Sequence, residues 1–210
     1  MIMTYQINHL VPENYVGKPT NLSFSVILPS RHEALICFNR ATKRLLNPPV
    51  WHKLSGWASA HFQLSGRDAE ELDRLAEEGD YFRIDVPGPG PAAGNGYDWV
   101  IVEKISLHVN PTGISEWTFL QVRPCSNPRN PEQGTAHFFT SIATSSYIVE
   151  RNGDIVTARY HGRNEIPNRA TDSTLDNIRN ATIASGAVIG LSEAQWSALL
   201  KGLLSAEIGG

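Results

Sequence analysis

Apolar and polar positions alternate along much of this chain, which is the period of a strand with one buried face. Leu22, Phe24, Val26 and Leu28 alternate with Ser23 and Ser25, and Phe82, Ile84 and Val86 with Tyr81, Arg83 and Asp85. Residues 57–64 place Ala58, Ala60, Phe62 and Leu64 opposite Trp57, Ser59, His61 and Gln63, and bulk on both faces predicts an interior strand. Residues 5–11 read as a short first strand. An apolar run over 97–109, interrupted by Glu103, and a second over 116–123 read as a meander. Asn152-Gly153 between alternating runs at 147–151 and 154–160 predicts a hairpin, because both residues tolerate the positive φ angles of a tight turn.

Four segments carry helical spacing instead. Ser30 stands three residues before Glu33, a capping arrangement that predicts a helix over 31–46 burying Leu35, Phe38 and Leu45, stopped by Asn47-Pro48-Pro49. Charges around Leu72, Leu75 and Ala76 predict a second helix over 67–78, with Gly79 as its cap. A third is expected over 174–188, with Leu175, Ile178 and Ile183 buried. The last begins at Ser192, which forms a capping box with Gln195 while Leu191 staples onto Trp196; Leu199, Leu200 and Leu203 continue its apolar stripe.

These elements predict an α+β fold: a mostly antiparallel sheet, open or closed into a barrel, with two inserted helices and a C-terminal helical pair at about 173–205 packed on it. At 210 residues one domain spanning 1–210 suffices. Three polar loops punctuate the sheet: 87–96, reading PGPGPAAGNG, then 124–135, and 161–172. Their prolines deny a ladder hydrogen bond and their glycines reach φ angles closed to other residues.

Composition narrows the function classes. A hydrophobic share of 41% and a charged share of 19% are those of a globular protein. A net charge of -3 disfavours nucleic acid and acidic membranes as partners. Two cysteines without metal or redox spacing, no apolar run of membrane length and no signal-like leader predict a cytoplasmic location. The signatures of P-loop nucleotide binding, zinc proteolysis, serine hydrolysis and dinucleotide binding are missing, and no cofactor is indicated. No histidines sit at metal-binding helical spacing, so no metal site is expected.

Two places carry candidate chemistry. Gly94-Asn95-Gly96 can form an anion-holding nest or a turn packing under Trp99, with Asp98 as a base or as an acceptor for loop amides. The richer set is His137 with His161, Arg163, Asn164 and Glu165: either histidine can act as acid/base, Glu165 can orient it, and Arg163 and Asn164 can hold an anionic group. Arg151, Arg159, Arg163 and Arg169 offer a face for a polyanion, though Glu150, Asp154 and Glu165 interleave with them. Long loops on a rigid sheet without a catalytic motif favour a non-catalytic binding or assembly protein, with a protein partner or self-association. The acid/base hydrolase is the alternative, and the loops meeting at one concave place would raise it.

Overall fold

The structure is a computed structural model and describes residues 7, 9–56, 59–88, 90–110, 113–169, 174–184 and 193–207. Its centre is a seven-stranded antiparallel sheet: β1 (Thr20–Ile27), β2 (His61–Ser65), β3 (Tyr81–Asp85), β4 (Asp98–Val109), β5 (Ser115–Pro124), β6 (Thr144–Asn152) and β7 (Ile155–Arg163). Spatial order is β1-β7-β6-β5-β4-β3-β2, so the chain runs as a meander from β2 to β7 and β1 closes onto β7. Among the described residues the sheet stays open, with β1 and β2 as its edges. Among the described residues it is accompanied by helices α1 (Arg31–Leu45), α2 (Trp51–Ser55), α3 (Thr174–Ala184) and α4 (Glu193–Leu204). The fold is α+β.

Several elements form where their residues predict them. The Ser30 side chain accepts the Glu33 backbone N–H at 3.2 Å and starts α1. Ala34, Cys37, Phe38, Ala41 and Leu45 of α1 are buried, and Leu35 is half-buried. Gly153, at φ +64°, turns β6 into β7. At Glu103 the register between β4 and β5 shifts by one residue; the extra residue bends the sheet and its carboxylate takes Gln121 Nε2 at 2.7 Å and Arg123.

Elsewhere the structure differs from the pattern. No helix forms over 67–78: Ala69 lies in the left-handed region at φ 56°, which a helix interior excludes. The carboxylates there capture backbone instead, Glu70 taking the Asp68 amide at 3.0 Å and Asp80 the Glu77 amide at 2.8 Å along with the Arg74 guanidinium. Leu72 and Ala76 donate their amides to Leu64 and Leu46, so the segment is laced to its neighbours. The strand at 57–64 is shorter and lies at an edge, not in the interior; the outward His61 ring stacks on His52 at 4.5 Å, which accounts for bulk on both faces. Within the expected strand at 5–11, Ile7 and Leu10 close a turn through a 3.0 Å backbone hydrogen bond. Ile178 is exposed, whereas Ile183 is buried. The expected continuation of α3 to 188 and the capping box at Ser192, with Leu191, lie outside the described residues.

The main core lies between one face of the sheet and helices α1 and α4, where Phe38, Leu45 and Trp51 meet Leu199, Leu200 and Leu203. Arg44 of α1 donates to the carbonyls of Gly202 at 2.9 Å and Ser205 at 2.7 Å, satisfying the C-terminal end of α4. A smaller cluster of Ile7, Trp117, Phe119 and Ile148 covers the opposite face.

Candidate functional site

Between the sheet and α4 the core is not filled. A cavity of about 490 Å³ remains, within the range of small-molecule sites. Strand alternation supplies its floor: Phe62, Phe82, Val100, Val122, Tyr147 and Tyr160 occupy inward positions on β2 to β7. Trp51 of α2 and Trp196 of α4 complete a ring of aromatic side chains. The Trp51 ring lies 5.1 Å from both Phe62 and Tyr147, and Trp196 stacks on Tyr160 at 5.0 Å with planes 16° apart. Each ring is fixed by several others, so the walls are preformed. The indole N–H of Trp51 donates to the Arg44 carbonyl at 2.9 Å, which sets its orientation.

One end of the cavity is polar. Glu165, half-buried just beyond β7, accepts the Tyr160 hydroxyl at 3.1 Å on one oxygen and the Thr20 hydroxyl at 3.2 Å on the other. Ser145 lies 3.2 Å from the same phenol oxygen. Burial pushes the Glu165 carboxyl up, and the two hydroxyl donors pull it back. Gly162 makes this placement feasible, since a Cβ there would stand 2.2 Å from Glu165 Oε1. Lys18 and Glu193, 3.9 Å apart with side chains 88% and 64% exposed, also line the cavity and mark where it reaches solvent.

The three loops of the sequence are tied to one another around Trp99 and Asn168, and of their residues Glu165 lines the cavity. The Trp99 indole donates to the Gly94 carbonyl at 3.2 Å, the Trp99 amide donates to Ala136 at 2.8 Å, and Asn168 Nδ2 donates to Thr135 at 3.0 Å. Phe139 pairs with Pro167 in an isolated bridge. Loop 87–96 is therefore a shaped turn against Trp99 with Pro91 and Gly94 buried. It is tied to α3 as well, because the Ala92 amide donates to Asp176 at 3.0 Å.

The residues singled out in the sequence fall into three places. His137 lines the cavity with Glu165, stacks on Phe138 at 4.0 Å, and accepts the Phe139 amide on Nδ1 at 3.0 Å. Burial, and then the Arg179 charge, lower its pKa to about 3, so the ring is neutral near pH 7 with its proton assigned to Nε2. Asp98 is fully buried, bonded to Arg179 and to the Phe138 amide at 3.1 Å; burial pushes its carboxyl up against both partners. It anchors α3 to the loop that carries His137.

His161 and Arg163 lie two residues apart and share the other face of β7, in a separate open hollow with Asn21 and residues 11–14. His161 Nδ1 and Arg163 Nη2 both meet Asn21 Oδ1, at 2.8 and 2.7 Å, and Arg163 also donates to the Thr20 and Gly162 carbonyls. Burial and the neighbouring guanidinium groups lower the His161 pKa to about 4. Asn164, at φ 54°, clasps the chain before β1: its side-chain oxygen accepts the Tyr15 amide at 2.7 Å and its nitrogen donates to Glu13 at 3.0 Å. The structure thus brings His137 and Glu165 to one cavity and places His161, Arg163 and Asn164 elsewhere. Of the arginines, Arg151 pairs with Glu116 and Arg159 with Glu150.

Sequence reasoning missed Trp51, Tyr147, Tyr160 and Trp196 as a lining. Among the described residues no group of three or more His, Cys, Asp or Glu could hold a metal ion, and no helix is long and apolar enough to cross a membrane.

No protein-family model matches the chain, and no curated protein does. Among solved structures it is similar to protein Ms6760 from Mycobacterium smegmatis, at 17% identity and a TM-score of 0.41 over 90% of this chain and 91% of that one. It is similar also to a truncated norcoclaurine synthase from Thalictrum flavum, at 9% identity and a TM-score of 0.35 over 91% and 96% of the two chains. A major latex-like protein from Panax ginseng follows at 12% identity and a TM-score of 0.31, covering 81% of this chain and 95% of that one.

Proposed function

We propose that this chain is a binding protein whose cavity holds a small, largely apolar molecule. The observation that carries the reading is the aromatic enclosure itself: about 490 Å³ of unfilled space walled by Trp51, Phe62, Phe82, Tyr147, Tyr160 and Trp196. A void of that size in a core forfeits dispersion contacts along its whole lining, and an apolar occupant restores them. Of the three loops, 161–172 serves this site by supplying Glu165. The occupant is therefore a small molecule in place of the protein partner that the loops alone suggest.

Titration with neutral 1-naphthylmethanol tests this, followed by calorimetry and by the fluorescence of Trp51 and Trp196. Saturable binding with a Kd of roughly tens of micromolar is expected, at about 0.5 kcal/mol per non-hydrogen atom. Val122→Trp, which takes up part of the space, should weaken it by at least about ten-fold in a folded protein. Absence of saturable binding, or a filled variant that binds as the natural chain does, would overturn the reading.

An acid/base hydrolase has one observation in its favour, that His137 and Glu165 line the same cavity. A ring with a pKa of about 3 is a poor proton acceptor at neutral pH, and His161 faces a different hollow, so binding is the better account. Turnover of a naphthyl ester that disappears in His137→Asn would reverse that preference.

A further inference from the structure

The polar end of the cavity contains a carboxylate that no guanidinium or ammonium group among the described residues touches, although the charge of Arg163 acts on it from a distance. Glu165 takes hydrogen bonds from two neutral hydroxyls, and among the described residues it makes no ion pair. The basic groups around it are committed elsewhere. Arg163 gives its guanidinium to Thr20, Gly162 and Asn21, while Lys18 stands at the mouth opposite Glu193. His137, the other titratable group inside, accepts a backbone amide with Nδ1.

A carboxylate offers about four lone-pair directions, and two remain open here after Tyr160 and Thr20. Burial raises this carboxyl even against its two hydroxyl donors and the more distant Arg163 charge, and a cation in direct contact would offset that cost. Position 162 has no side chain where one would displace the carboxylate, so the acid is held over the cavity end of β7.

Resting on the binding reading above, we infer that the occupant is an amine: an apolar ring or chain bearing a protonated amino group, with the ammonium on Glu165 and the apolar part among the aromatic side chains. The ammonium donates to the open lone pairs of Glu165, and the hydroxyls of Tyr160 and Thr20 keep the carboxylate aimed at it.

Three probes of one shape decide this: 1-naphthylmethylamine, 1-naphthylmethanol and 1-naphthylacetate, measured by calorimetry at neutral pH on the natural chain, Glu165→Gln and Gly162→Ala. The amine should bind about ten-fold more tightly than the alcohol, with the acetate weakest, as a charge-assisted hydrogen bond requires. In both variants the ratio of amine to alcohol affinity should fall from about ten-fold to about one, Gly162→Ala because it pushes the carboxylate aside without removing it. Equal binding of amine and alcohol to the natural chain would overturn this inference and leave the binding reading standing. An advantage that survives in Glu165→Gln would also overturn it. Failure of all three probes to bind would overturn both.

Discussion

The Tyr160 hydroxyl donates to Glu165 Oε1 at 3.1 Å, and with this bond the last strand of the sheet and the loop beyond it hold one polar group over an aromatic floor. Tyr160 is 2% exposed, so water cannot substitute for its phenol. Tyr160→Phe should lower stability by about 1–2 kcal/mol in urea unfolding, the range for a hydrogen bond to a charged group that is only half-buried. It should also raise the Glu165 pKa further, because a donor to the ionised form is lost. A carboxyl raised in the folded state contributes stability at low pH that fades as pH rises through the raised value. The variant should extend that loss to higher pH, and a carbon-detected NMR titration of the Glu165 carboxyl reads the shift directly.

Asp98 and Arg179 form a buried pair that joins β4 to α3. Asp98→Ala takes from Arg179 its buried carboxylate and from the Phe138 amide its acceptor, so it should cost about 3–5 kcal/mol in equilibrium unfolding. Replacing both, Asp98→Leu with Arg179→Met, should recover much of that cost. A double variant no more stable than Asp98→Ala would show that the Phe138 amide bond, not the ion pair, carries the contribution of Asp98.

His137 predicts a pH dependence with a definite sign. Its folded pKa, about 3, lies below the ordinary 6.5, so the unfolded chain binds the extra proton first as the medium is acidified. The stability contribution is complete above 6.5 and is lost between there and about 3, at up to about 1.4 kcal/mol per pH unit. His161 titrates in an overlapping window, from 6.5 to about 4. Subtracting the curve of His137→Asn, which retains an acceptor for the Phe139 amide, isolates the share of His137. A difference curve flat from pH 6.5 to 4 would contradict its burial in the neutral form.

Much of the scaffold was legible because its signals are local. Ser30 with Glu33 marks a helix start within four residues, and Asn152-Gly153 marks a hairpin within two. The segment at 67–78 misled because its apolar spacing suits a helix, whereas the left-handed Ala69 and the capture of the Glu77 amide by Asp80 depend on groups beyond that pattern. Parity along β7 separates Tyr160 from His161 and Arg163, but the sequence pattern ends that strand at 160, and Glu165, odd like His161 and Arg163, turns back to the cavity beyond the strand end, so the division of the polar set was not readable. Nor was the cavity. A position lining a void and a position filling a core have the same apolar signature, and only the three-dimensional placement of Trp51 and Trp196 distinguishes them.

The acid of the site is borne by a loop, while the rings beneath it belong to strands and helices that the fold needs. Retargeting is therefore a short walk through sequence space. On the amine reading, exchanging residue 165 would change the headgroup the cavity retains while the rings stay in place, at the cost of the hydrogen bond from Tyr160.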